Sequence, residues 1–78
     1  IMKLTNEIIE KHGFKRINNS MFRFKNITLQ NSWKTSGANI YERIINNERA
    51  YKVCVNGKFK RIITKESELT PLKIIYSD

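Results

Sequence analysis

A single cysteine, Cys54, occurs in the 78 residues, so no internal disulfide can staple this chain, and a reducing compartment is expected. Glycine is nearly as scarce. Gly13, Gly37 and Gly57 are scattered at turns or helix ends and build no phosphate-cradling loop. The longest apolar runs are pairs and triplets, too short for a membrane-spanning helix, and no N-terminal apolar stretch reads as a secretion signal. No membrane partner and a cytoplasmic location are therefore expected. Acids are few: seven Asp and Glu oppose fifteen Lys and Arg, giving a net charge of +8 and a pI near 9.9. That balance excludes an acidic nucleic-acid mimic and favours an anionic partner.

What is present suits one small folded domain, residues 1–78. The chain is 40% hydrophobic and 28% charged, a globular rather than a disordered composition. A chain of this size buries only about 60% of its unfolded surface, so its stability is expected at roughly 4–12 kcal/mol. Ile, Asn and Lys supply 31 of the 78 residues, a bias that AT-rich codons explain. Ile1 ahead of Met2 reads as an added residue, with Met2 the natural start.

The opening reads as a helix over roughly residues 5–12. Leu4, Ile8 and Ile9 fall on one face, Thr5 or Asn6 can cap the start, and Gly13 suits a left-handed end. Beyond Gly13 the apolar period becomes two. Phe14–Asn18 and Met21–Lys25 read as strands joined through Asn19-Ser20, a register that sets Ile17 opposite Phe22 and Arg16 opposite Arg23. Ile17, Phe22 and Phe24 then share the apolar face, spoiled only by Lys15, and Arg16, Arg23 and Lys25 share the other. The phase shifts again at Ile27, for which a bulge or kink near Asn26 is expected.

Residues 31–37 read as a loop carrying Trp33 and Lys34. The segment Asn39–Ile45 suits a strand by propensity, although Ala38, Tyr41 and Ile45 also fit helical spacing. Ala50–Thr64 is a hairpin around Asn56-Gly57. A two-residue turn there mixes its faces, so a three-residue loop with Gly57 in a bulge is preferred. It gathers Tyr51, Val53, Phe59 and Ile63 with Arg61 on one side, and Lys52, Lys58 and Lys60 with Cys54 and Ile62 on the other. Leu69, Leu72, Ile75 and Tyr76 have helical spacing, and a closing helix is expected to begin near Ser67 or Thr70. The expected fold is α+β: an antiparallel β-meander of about four to five strands, with the N-terminal helix and a short C-terminal helix on one face.

Chemistry-bearing residues are sparse. His12 is the only histidine; Glu10 and Lys11 beside it make no dyad, so a helix-terminus role is expected. Cys54 lies mid-strand among lysines with no histidine near in sequence. Glu66 and Glu68 suit a helix start. No enzymatic activity, cofactor or metal site is expected. The charge pattern says more. Lys11 to Lys34 holds six basic residues without one acid, and Arg49 to Lys65 holds six more. If both hairpins share one sheet, Arg16, Arg23, Lys25, Lys52, Lys58 and Lys60 form a cationic plane suited to phosphate or an acidic protein surface. The plainer alternative is a solvated outer face whose lysines resist edge-to-edge aggregation. No aromatic is expected on that plane; Trp33, Lys34 and Tyr41 are secondary candidates for contact.

The segment Glu7-Ile-Ile-Glu-Lys-His-Gly-Phe-Lys-Arg-Ile17, followed by Asn-Asn-Ser-Met-Phe-Arg-Phe24, resembles two groups. One is the HicA toxin family, RNA-cleaving proteins with a double-stranded-RNA-binding-like fold, matched over about the first third of the chain. Where that family carries its catalytic histidine, this sequence has Met21, so the resemblance implies no ribonuclease here. The other is the small Lys-, Ile- and Asn-rich accessory proteins of phages and prophages of Bacteroidota, whose outline Leu4–Phe14 and Glu68-Leu69 resemble. Anti-CRISPR proteins occur among them. This resemblance implies a non-enzymatic inhibitor in the bacterial cytoplasm, binding a host protein or protein–RNA complex, with an RNA-guided nuclease and its guide RNA as leading target. A direct RNA- or DNA-binding module, or an inactive toxin–antitoxin relative, is the alternative.

Overall fold

Thr5 starts the first helix, its Oγ1 accepting the Ile8 backbone N–H at 3.2 Å. The structure, a computed structural model, describes residues 4–32 and 49–77. Helix α1 runs Asn6–Lys11 and stops where Gly13 turns to φ +92°. Five strands follow: β1 Lys15–Asn18, β2 Met21–Phe24, β3 Ile27–Ser32, β4 Ala50–Val55 and β5 Lys58–Ile63. They form one antiparallel sheet in chain order. A 3₁₀ turn, Glu66–Glu68, then leads into α2, Leu69–Tyr76. The α+β meander with a helix at each end is thus the fold. The expected strand at 39–45 lies outside the described residues.

One face of the sheet is covered. Leu4 and Ile9 from the first segment and Leu69 and Leu72 from the last close over Phe22, Ile27, Leu29, Tyr51, Val53, Val55 and Ile63, all of them buried. Burying each such side chain contributes about 1.5–3 kcal/mol, so this single layer supplies the main drive for folding. Leu69, Leu72 and Tyr76 lie within about 60° of arc on α2, at about 100° per residue. Ile75 falls outside that arc, and it is 62% exposed rather than part of the core.

The turns depart from expectation in ways that move side chains between faces. Lys25-Asn26 is a hairpin turn and not a kink in a continuing strand: Phe24 pairs with Ile27, and Lys25 takes φ +53°. The phase shift at Ile27 is the chain reversing. Asn19-Ser20 does form the expected turn, with Asn18 opposite Met21. The register then slips at Ile17, which becomes the extra residue of a β-bulge, so Arg16 and not Ile17 stands opposite Phe22. Ile17 is accordingly 51% exposed.

The β4–β5 hairpin also differs. Asn56 and Gly57 both take positive φ, +52° and +81°, which defines a two-residue turn with Val55 opposite Lys58. The conflict of faces that argued against this turn is resolved further along. Phe59 pairs with Cys54 and Arg61 with Val53, leaving Lys60 as the extra residue of a second bulge. Ile63 therefore returns to the core opposite Tyr51, whereas Phe59 faces away from it.

Candidate functional site

Strand pairing assigns each charged residue to a face. Lys15, Arg23, Thr28, Cys54 and Phe59 form one row across all five strands. Met21, Gln30, Lys52 and Ile62 form the next. Both rows alternate with the buried rows, so they occupy the face opposite α1 and α2. This outer face carries three cations, Lys15, Arg23 and Lys52. The strands themselves contain no Asp or Glu. The acids of the described residues, Glu7, Glu10, Glu66 and Glu68, all belong to helical segments.

The six basic residues expected in one plane are divided. Arg23 and Lys52 lie on the outer face as expected. Arg16 does not: the bulge at Ile17 turns it to the helix side, where Nη2 lies 3.0 Å from Glu10 Oε1 and the guanidinium sits 5.2 Å from the Phe22 ring centroid. Lys25 occupies the β2–β3 turn with Nζ 5.6 Å from the Phe24 ring centroid. Lys58 shares the row of Val55 and so belongs to the helix side, and Lys60 is the unpaired bulge residue. Trp33, Lys34 and Tyr41 lie outside the described residues.

Two members of the outer face were not anticipated. Lys15 was expected to intrude on the apolar face, and Phe59 was expected in the core. Phe59 is instead 57% exposed, one outer row along the sheet from Ile62, itself 36% exposed, and the cation Lys52. The signal for it was the Asn-Gly pair itself, whose preferred two-residue turn puts Phe59 on the Cys54 side. Arg23 is held in place by its own turn, with Nε donating to the Lys25 carbonyl at 2.7 Å.

His12, Glu66, Glu68 and Tyr51 make their contacts away from the outer face. His12 caps the end of α1, and its Nε2 lies 3.1 Å from Glu66 Oε2, a carboxylate that local sequence could not reveal. Its backbone carbonyl accepts Lys73 Nζ at 2.7 Å. Glu68 caps the turn before α2, its Oε1 accepting from the N–H groups of Thr64 and Lys65 at 3.1 and 3.2 Å. Cys54 is half-buried on the outer face. Tyr51 Oη donates to Asn6 Oδ1 at 2.6 Å, joining β4 to α1. Burial pushes this phenol's pKa up, against the opposing pull of the nearby Arg49 cation. Among the described residues no three His, Cys, Asp or Glu side chains cluster as metal ligands. No helix among them is long and apolar enough to cross a membrane.

No protein-family model, curated protein or solved structure matches this chain.

Proposed function

We propose that this chain is a non-enzymatic binding protein, acting as a phage-type inhibitor of a nucleic-acid-bearing host target through the outer face of its sheet. The observation that carries the reading is the charge asymmetry of the sheet. Lys15, Arg23 and Lys52 stand on the face that no described helix covers, and no carboxylate shares the strands with them. Such a surface attracts phosphate and releases counterions when it binds. Its individual charges contribute little to folding, typically within about ±0.5 kcal/mol each, so it is free to serve a partner.

Resemblance to small phage accessory proteins makes a host ribonucleoprotein or nuclease the expected target, with an RNA-guided nuclease the leading candidate. His12, Glu66 and Glu68 act in helix ends and inter-element contacts, which supports a role without catalysis. The second reading, direct binding of RNA or DNA with no protein target, draws support from the exposed ring of Phe59 on the same face as Lys52, Arg23 and Lys15.

The test is capture from bacterial lysate with the wild-type chain and with Lys15→Gln/Arg23→Gln/Lys52→Gln as baits, before and after ribonuclease. The reading predicts a specific partner that the triple variant loses. Equal capture by both baits contradicts it. A partner retained after ribonuclease places the contact on protein rather than on RNA.

A further inference from the structure

We infer that the outer sheet face is a stacking platform for single-stranded nucleic acid, with Phe59 as the residue on which a base lies. This deepens the proposed function and rests on its assignment of that face to an anionic partner. Three observations converge. First, Phe59 is 57% exposed, although burying it would contribute about 1.5–3 kcal/mol. The bulge at Lys60 is what allows Phe59 to face outward while Ile63, four residues on, still reaches the core. Bulges characteristically re-aim side chains near functional sites.

Second, the cations run away from the ring across the sheet, all on the side of β5 where the other strands lie. Lys52 lies diagonally across from Phe59 on the adjacent strand, about 7–8 Å away. Arg23 is three strands distant in the same row, about 14 Å at a strand spacing near 4.8 Å. Lys15 extends that row by one more strand. A flexible strand can lay one base on Phe59 and lead its phosphates past Lys52 toward Arg23 and Lys15. Ile62, beside Lys52, adds apolar surface for a neighbouring base.

Third, the shape of the face discriminates against a duplex. Five strands make a surface about 19 Å across between the outer strand axes. That is wider than the DNA major groove of about 12 Å, so the sheet cannot enter it. A duplex can offer this face only its backbone and leaves the Phe59 ring without a partner. A single strand offers both phosphates and exposed base faces.

Fluorescence anisotropy of a labelled oligouridylate and oligothymidylate, each with a matched duplex, tests the inference across a salt series. The expected result is tighter binding of the single strands, falling as salt rises. Phe59→Ala should weaken single-strand binding by about five- to hundredfold with an unchanged salt slope. Phe59→Leu, which keeps apolar bulk on the strand, should lose most of the same affinity, and Phe59→Trp should restore it. Lys52→Gln should reduce the slope of log K against log salt by about 0.7, the loss of one single-strand phosphate contact. Circular dichroism confirms that each variant is folded.

Equal binding of duplex and single strand, with folded Phe59→Ala and Phe59→Leu behaving as wild type, overturns the stacking platform. The anionic-partner reading survives that outcome, because the salt dependence persists. Absence of binding to any bare nucleic acid at low salt also overturns the platform. The lysate capture, which does not depend on Phe59, then judges the wider reading separately.

Discussion

His12 Nε2 and Glu66 Oε2 meet at 3.1 Å across 54 residues of sequence, fastening the end of α1 to the turn before α2. Lys73 reinforces the same junction from α2 through the His12 carbonyl, and its Nζ lies 4.8 Å from the Phe24 ring centroid. The only histidine of the chain therefore joins α1 to the turn that leads into α2, on the side of the sheet away from the proposed interface.

This junction predicts a modest and coupled stability effect. Both partners are partly exposed, so their coupling should be about 0.5–1 kcal/mol. A double-mutant cycle of His12→Ala and Glu66→Ala, followed by urea unfolding, measures it. Nucleic-acid or target binding by these variants should stay within about twofold of wild type, as expected of contacts remote from the working face.

Tyr51 predicts a response to alkaline pH. Burial raises its pKa above the ordinary 10.0, so the folded state holds the phenolic proton more tightly than the unfolded chain. The stability from this group is fully present below the unfolded pKa and is lost as pH rises through the folded one. Melting temperatures measured from pH 9 upward should fall, and Tyr51→Phe should flatten that fall. The same variant loses the hydrogen bond to Asn6 and should be less stable by about 1 kcal/mol at neutral pH.

The bulges predict which deletions the sheet tolerates. Removing Lys60 leaves Lys58, Phe59, Arg61, Ile62 and Ile63 alternating regularly, each still facing as it does now. Deletion of Lys60 should therefore cost no more than about 1 kcal/mol and leave Phe59 exposed. Deleting Ile62 instead turns Ile63 out of the core and should cost about 3 kcal/mol or more. Chemical denaturation of the two deletants separates these outcomes.

Gly57 supplies a cleaner backbone test. A Cβ there meets nothing within 4 Å, so only its φ of +81° opposes substitution. Gly57→Ala should destabilise by about 1–2 kcal/mol without altering the core, as read by unfolding and by near-ultraviolet circular dichroism.

Much of this architecture is legible in the sequence because local chemistry and burial agree. Thr5 and Gly13 bound the first helix, Asn19-Ser20 marks a turn, and Phe22, Phe24, Tyr51, Val53 and Ile63 declare the inner face by alternation. The bulges are not legible. Ile17 and Lys60 are ordinary strand residues, and nothing local distinguishes an extra residue from a paired one. Each bulge exchanges faces within its own hairpin. For that reason strict alternation puts Arg16 on the outer face and Lys15 and Phe59 on the inner one, the reverse of where they stand. The turn at Lys25-Asn26 is equally silent, since lysine seldom takes the left-handed conformation it adopts there. The inter-helix pairing of His12 with Glu66 depends on tertiary structure alone.

The measurement that reaches the central claim most directly compares two triple variants of equal charge on a labelled single-stranded RNA across salt concentrations. One is Lys15→Gln/Arg23→Gln/Lys52→Gln on the outer face; the other is Lys11→Gln/Lys25→Gln/Lys58→Gln, off that face. If the outer face is the working surface, the first triple should weaken binding at least about tenfold and lower the salt slope by about 2, three phosphate contacts' worth. The second should remain within about threefold of wild type, the residue of a long-range field that salt largely screens. Equal losses from both triples, or none from the first, contradict the account.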